Sequence, residues 1–152
     1  MGRILFRKDH GYAEGGITTD VYSCDQWQIM PTEHEFRIAT EMKEVASNDW
    51  LDEDGDDEFV PDRPCFKAFE DEIEFVYKGE DPVGMIGDFI YYLSHGGVFA
   101  MYDEHSGIGY QECRFVKYDP EADYIREGKE AVVRFKVTFK INTPQTRVVL
   151  TK

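Results

Sequence analysis

The feature that most constrains the fold is a strict alternation of apolar and polar side chains near the C-terminus. Between residues 133 and 141 one parity is apolar, and its members are Val133, Phe135, Val137, Phe139 and Ile141. The other parity is polar and mostly basic, and its members are Arg134, Lys136, Thr138 and Lys140. A period of two residues is that of a β-strand with one buried face. The segment therefore predicts a half-buried strand, the best defined in the chain.

Other segments predict further strands. Residues 69–77 alternate in the same way, with an apolar parity that comprises Phe69, Ile73, Phe75 and Tyr77. The opposite parity carries Glu70, Glu72 and Glu74, which indicates an acidic outer face. Residues 98–102 and 110–118 predict a hairpin, and short strands are predicted at 3–7 and 148–150. A polar loop containing Pro120 is expected before the C-terminal strand.

One segment has the pattern of an α-helix, about residues 82–94. Asp81 is suited to the N-cap, and Pro82 fits the first helical position. The apolar side chains then recur with helical spacing and form one stripe, which consists of Val83, Ile86, Phe89, Ile90 and Leu93. Gly96 and Gly97 supply the stop signal.

The length of 152 residues favours a single domain, 1–152, with a real hydrophobic core. A content of 14% aromatic residues favours β structure. We therefore predict an α+β fold that is mainly β, a β-sandwich or split barrel with one flanking α-helix. Residues 1–30 are expected to form an N-terminal arm or edge strands, and residues 32–46 an extended segment.

A strongly acidic run divides the chain. Seven of the ten residues from 49 to 58 are acidic. Asp52, Asp54 and Asp56 have the alternate spacing of calcium ligands, but the EF-hand requires Gly at the sixth position and Glu at the twelfth. Counted from Asp52, those positions hold Asp57 and Arg63. We therefore interpret residues 47–64 as a solvated acidic loop, and predict neither a metal nor a cofactor.

The net charge of −14 restricts the class of partner. An acidic surface repels a phosphate backbone, so no specific nucleic-acid binding is expected. No apolar stretch approaches the length of a membrane span, and no signal peptide is recognisable. Cys24, Cys65 and Cys113 are widely spaced, which favours free, buried thiols in a reducing compartment. These features favour a soluble, cytoplasmic protein.

No motif in the sequence indicates an enzyme. Nucleophile elbows, phosphate loops, zinc-protease motifs and dinucleotide fingerprints are absent. Two alternatives stay open. The first is a small-ligand-binding domain with an apolar cavity lined by Phe69, Phe89 and Phe135. The second is catalysis by an acidic residue with His95 or His105.

The remaining signal is a surface for other subunits. Large aromatic side chains are enriched at protein interfaces, and Tyr91 lies away from the predicted helix stripe. The candidate interface residues are Trp50, Asp52, Asp54, Asp56, Asp57 and Tyr91.

Several segments, taken in order, resemble tail proteins of phages and prophages of gut bacteria. The first is the lysine, Asp-Trp and acidic-Gly pattern across residues 41–55. The others, which extend the resemblance over about residues 31–146, are 75–79, 91–93, 101–103 with 108–109, and 135–144.

This resemblance implies a virion structural role, similar to the N-terminal ring domain of distal tail proteins or to tail-tube proteins. Such domains combine β-sheets with one flanking helix and form hexameric rings around the DNA channel. The implied partners are further copies of the chain and neighbouring tail proteins. The implied location is the virion tail, after assembly in the host cytoplasm. An acidic lumen would let DNA pass without binding it. Distal tail proteins often carry further domains, so the exact tail component stays open.

Overall fold

The computed structural model describes residues 3–8, 20–33, 36–37, 39–63, 65–144 and 146–151. In these residues the chain forms nine strands and one α-helix. The strands are β1 (Ile4–Lys8), β2 (Val21–Ser23), β3 (Ile29–Glu33), β4 (Ser47–Asn48), β5 (Asp57–Glu58), β6 (Phe69–Gly79), β7 (Phe99–Asp103), β8 (Ile108–Glu127) and β9 (Glu130–Ile141). The helix α1 spans Pro82–Ser94, and a 3₁₀ helix spans Cys24–Trp27.

Seven strands form one antiparallel sheet in the order β2-β1-β7-β8-β9-β6-β3. In a flat sheet of seven strands the two edges would lie about 29 Å apart. Here the edge strands β2 and β3 are joined by residues 24–28 alone, and most of these form one 3₁₀ turn. A connection of this length can span at most about 15 Å, about half the width of a flat sheet. The sheet therefore curves strongly towards closure. The predicted class, α+β and mainly β with one flanking helix, is confirmed.

The helix packs on the side towards which the sheet curves. Phe89 of α1 is fully buried, and its ring lies 5.4 Å from that of Phe75 on β6 and 5.9 Å from that of Phe6 on β1. It also meets Trp27 of the 3₁₀ helix at 5.2 Å. Three other strands separate β1 from β6 in the sheet. The Phe89 side chain therefore contacts two strands that are not neighbours.

The helix has the ends that its sequence predicts. The Asp81 carboxylate accepts a hydrogen bond from the Gly84 amide at 3.0 Å, which satisfies one donor of the first turn. Gly96 and Gly97 follow with φ of 90° and 82°, values that favour glycine. The predicted stripe is wrong at one position, because Val83 is 85% exposed. It lies in the first turn of the helix and lines a surface groove.

The strand predictions were correct for β1, β6, β7 and β9, but wrong about the loop at Pro120. β8 continues through Pro120 to Glu127, and β9 begins at Glu130 after a two-residue turn. Pro120 is tolerated because β7 pairs with β8 only as far as Cys113. Beyond Cys113 the edge of β8 that faces β7 is unpaired, so the missing amide hydrogen of Pro120 costs no ladder hydrogen bond on that edge. Gly128 has a φ of 60°, which the tight turn requires.

The predicted strand at 148–150 is also wrong, because these residues form no ladder. They cover the outer face of the sheet instead, where Leu150 packs with Leu5 and Ala100. Gly109 permits this approach, since a Cβ atom there would lie 2.0 Å from the Val148 carbonyl oxygen.

Two strands of the sheet come from the N-terminal segment, and the cysteine prediction has a mixed outcome. β1 lies inside the sheet between β2 and β7, and β2 is an edge strand. Residues 9–19 lie outside the described part of the chain. All three cysteines are free; Cys24 and Cys113 are buried as expected, but Cys65 is exposed. The expectation of three buried thiols therefore fails at Cys65, which lies in a projecting segment. In the described residues no helix is long and apolar enough to cross a membrane.

Candidate functional site

Residues 41–67 form a two-legged projection that we call the acidic arm; residue 64 within it is not described. At its root Lys43 donates its amide hydrogen to the Cys65 carbonyl at 2.8 Å, and Lys67 donates to the Glu41 carbonyl at 2.8 Å. Further out β4 pairs with β5 in an antiparallel two-stranded sheet. The segment expected as an acidic loop therefore contains a hairpin held by its own backbone.

The tip of the arm, residues 49–58, is organised around Trp50. The indole Nε1 donates a hydrogen bond to the Asp57 carboxylate at 3.1 Å, and the Trp50 carbonyl accepts one from the Glu53 amide at 3.3 Å. Gly55 has a φ of 79°, which lets the chain reverse. These contacts satisfy the polar atom of the indole and leave half of the side chain, 51%, exposed.

The arm presents apolar side chains to solvent. Leu51 is 106% exposed, Phe59 is 72% exposed, and Val60 is exposed as well. The acidic side chains of the tip are exposed beside them. Large exposed apolar groups rimmed by polar residues are typical of protein interaction sites.

The structure groups five of the six predicted interface residues. Trp50, Asp52, Asp54, Asp56 and Asp57 all lie in the tip of the acidic arm. Tyr91 lies on α1, a separate element, where it is 64% exposed and stacks on His95 with ring centroids 3.9 Å apart. Whether these residues contact another subunit stays a prediction.

Sequence reasoning missed the cluster that anchors the arm. The Tyr110 hydroxyl donates to the Arg37 carbonyl at 2.8 Å, just before the arm begins. The Arg37 guanidinium lies 5.4 Å from the Phe69 ring, and the Arg147 guanidinium lies 5.4 Å from the Tyr110 ring. Burial raises the pKa of Tyr110, so its hydroxyl stays a donor. The contributing residues are far apart in sequence, so no local pattern could have indicated this cluster.

The outer face of the sheet, opposite α1, carries charges of both signs. Glu74 of β6 pairs with Arg134 of β9 at 3.4 Å, and Glu72 pairs with Lys136 at 3.6 Å. These pairs neutralise much of the predicted acidic face of β6. The Glu72–Lys136 pair is solvent-exposed, and exposed pairs contribute up to about 1 kcal/mol.

A groove of about 470 Å³ runs between α1 and the β8–β9 pair, and is lined by Pro82, Val83, Ile86, Gly87, Ile90, Tyr118 and Val133. It is an open trough and not the enclosed cavity expected for a ligand-binding domain. The rings proposed to line that cavity are packed: Phe89 meets Phe135 at 6.4 Å, and Phe69 meets Tyr110 at 5.7 Å. This packing counts against an internal ligand site.

The histidines considered for catalysis have structural contacts. His95 Nδ1 lies 3.0 Å from the Ser94 hydroxyl and 3.1 Å from the Tyr91 carbonyl. The amide of His105 donates to the Asp103 carboxylate at 3.2 Å, within the β7–β8 turn. Among the residues that the structure describes, no group of three or more His, Cys, Asp or Glu could hold a metal ion.

Comparison with solved structures gives an informative likeness. The sequence matches no family model and no curated protein. Among solved structures, it is similar to the Dit protein (gp 19.1) of SPP1, described as a paradigm of the hub adsorption apparatus in phages that infect Gram-positive bacteria. The two share 12% sequence identity with a TM-score of 0.56 over 93% of this chain. The match covers 50% of the SPP1 protein, so this chain spans about half its length. The chain therefore shares its fold with a protein of a phage hub adsorption apparatus.

Proposed function

We propose that the protein is a structural component of a phage tail, of the distal-tail or tail-tube kind, that acts by self-assembly and not by catalysis. The observation that supports this most strongly is the fold shared with SPP1 Dit over 93% of the chain. The order of the tail-like segments in the sequence supports the same class. The gut-bacterial host and the exact tail component remain predictions.

The acidic arm is the proposed contact between subunits. Its 27 residues match the roughly 20–30 residues that each partner contributes to a standard protein interface. Exposed apolar groups at its tip would become buried on assembly, and their burial drives association. A projecting segment that binds a different surface of the next copy makes a heterologous contact, and such contacts form a ring when the rotation between successive copies closes. We expect six copies in the ring.

The charge of the chain suits a channel through which DNA passes. A net charge of −14 repels phosphate groups, so DNA could slide through a ring without being held. In this account the protein meets neighbouring tail proteins on the faces of the ring. It resides in the virion tail after assembly in the host bacterial cytoplasm.

Light scattering coupled to size-exclusion chromatography tests self-assembly. The purified chain, at concentrations from 1 µM to 1 mM, is expected to give a mass close to six times 17.7 kDa at the upper end. The same run is repeated after co-expression with the neighbouring tail proteins. A mass of 17.7 kDa in every sample would contradict the proposal. A matched variant with residues 49–58 replaced by a short Gly-Ser turn is expected to remain monomeric.

A further inference from the structure

Two basic side chains face each other on the outer face of the sheet. Arg114 of β8 and Lys140 of β9 are direct cross-strand partners, and we call them the basic pair. Directly opposed residues on antiparallel strands lie about 4.5–5.5 Å apart, and like charges at that distance are destabilising. In the part of the chain that the structure describes, neither residue forms an ion pair.

The neighbouring bases differ from this pair. Lys136 and Arg134 bind glutamates of β6, and Lys117 binds Asp119 at 3.3 Å. Glu70 is the cross-strand partner of Lys140 on its other side, but no ion pair joins the two. Among the residues that the structure describes, the basic pair is therefore a place on this face where two directly opposed bases form no ion pair.

The orientation of the basic pair leaves it accessible. Cys113 and Ile141, which precede and follow it by one residue, are fully buried on the inner face. Alternation along the strands therefore directs Arg114 and Lys140 outward. Arg114 is exposed and Lys140 is half-buried.

We infer that the basic pair receives the tip of the acidic arm of a second copy of this chain. The inference rests on the proposed self-assembly and names the surface that the arm contacts. Charge complementarity selects this occupant, because the tip carries seven acidic residues and no basic one. The hydrogen bond from Trp50 to Asp57 links the two sides of the tip, and its acidic side chains are exposed together. At physiological salt charges are screened beyond about 8 Å, so the tip must contact the pair directly.

A nucleic acid is a poorer occupant of the same surface. The pair supplies only two positive charges to a chain whose net charge is −14. A duplex extends far beyond two side chains, so most of its phosphate backbone would meet the acidic remainder of the surface. The carboxylates of an ordered hairpin can instead bind two cations locally.

A charge-swap experiment tests the inference. Arg114→Glu with Lys140→Glu reverses the basic pair. Asp52→Lys, Glu53→Lys, Asp54→Lys and Asp56→Lys together reverse the net charge of the tip and leave Asp57 in place for its bond with Trp50. Each of these two variants alone is expected to raise the dissociation constant for self-assembly by about tenfold or more in low salt, because like charges then meet. An equimolar mixture of the two variants, or a chain with all six changes, is expected to assemble as the native chain does. Analytical ultracentrifugation supplies the readout.

The matched control is Lys78→Glu with Lys129→Glu, which makes the same change in net charge at two exposed bases elsewhere. It is expected to assemble normally. Circular dichroism and thermal unfolding confirm that every variant folds. If the reversed pair fails to fold, Arg114→Gln with Lys140→Gln replaces it and is expected to weaken assembly in the same direction.

The outcomes separate the inference from the proposed function. If the native chain assembles and the reversed pair assembles equally well, the inference is overturned and the ring proposal stands. If the native chain stays monomeric even with its tail partners, the ring proposal fails and the inference fails with it. If the native chain binds duplex DNA and the reversed pair does not, the surface is a phosphate site and the inference is overturned.

Discussion

Trp50 and Asp57 are joined across the tip of the acidic arm by an indole-to-carboxylate hydrogen bond of 3.1 Å. The bond lies at an exposed position, where a single hydrogen bond contributes about 1 kcal/mol or less. Its consequence is local, because it fixes the shape of an otherwise sparsely packed hairpin.

Trp50→Phe removes this bond and retains an aromatic ring. We expect the melting temperature to fall by less than about 3 °C, since at most about 1 kcal/mol is lost in a chain of this size. Amide exchange at residues 47–58 is expected to accelerate, and mass spectrometry measures it. Unchanged exchange would show that the backbone pairs of β4 and β5 hold the tip without Trp50.

Phe89→Ala is expected to destabilise the protein by about 3–5 kcal/mol, because it opens a cavity among fully buried rings. The side chain packs on Phe6, Trp27 and Phe75 from three separate elements. Urea denaturation measures the free energy of unfolding. Val83→Ala on the same helix is the control, with an expected change within about 0.5 kcal/mol, because Val83 is 85% exposed. Equal effects of the two substitutions would contradict the described helix face.

Lys8 gives the stability a pH dependence. Its side chain is buried, Nζ donates to the His95 carbonyl, and burial lowers the pKa of Lys8 from 10.5 to about 8. The unfolded chain therefore binds more protons between these two values, so this contribution to stability rises as the pH increases from about 8 towards 10.5. Below about pH 8 the contribution is constant.

The comparison of the native chain with Lys8→Met isolates this effect from other titrating groups. The difference in unfolding free energy is measured between pH 7 and 9.5. The native chain is expected to gain stability relative to the variant over the upper part of this range. A difference that is flat or moves the opposite way would show that Lys8 keeps its ordinary pKa.

The three cysteines are expected to react at different rates. Cys65 is exposed on the acidic arm, whereas Cys24 and Cys113 are buried. Burial raises the pKa of Cys24 to about 11 and raises that of Cys113 as well, and the thiolate is the reactive form. A disulfide reagent at pH 8 is therefore expected to modify one thiol rapidly in the native protein and three in urea. Cys65→Ser removes the fast phase. Three equally fast thiols in the native protein would contradict the described burial.

The parts of the fold that the sequence predicts are those with local signals. The alternation of residues 69–77 and 133–141 identified β6 and β9, and Asp81, Pro82 and the paired glycines bounded α1. The failures depend on long-range context. Pro120 was interpreted as a break because its position on an unpaired edge is invisible in the sequence. Residues 148–150 have strand composition, but they pack as a cover on Leu5 and Ala100.

The candidate site was predictable to a similar extent. The tip of the acidic arm could be identified from the sequence, because a run of acidic residues that contains a tryptophan is a local feature of composition. The pairing of Ser47 and Asn48 with residues 57 and 58 was not predicted, because each strand is only two residues long. The basic pair was hidden for a different reason. Arg114 and Lys140 become neighbours only through the β8–β9 register.

Electron microscopy of the purified protein tests the central claim most directly. Negative-stain images at a concentration above the assembly threshold, alone and with the neighbouring tail proteins, are averaged without imposed symmetry. We expect closed rings with six-fold averages and a central channel, and no rings when residues 49–58 are replaced. Isolated particles of single-chain size in both samples, or rings that persist without the tip of the arm, would contradict it.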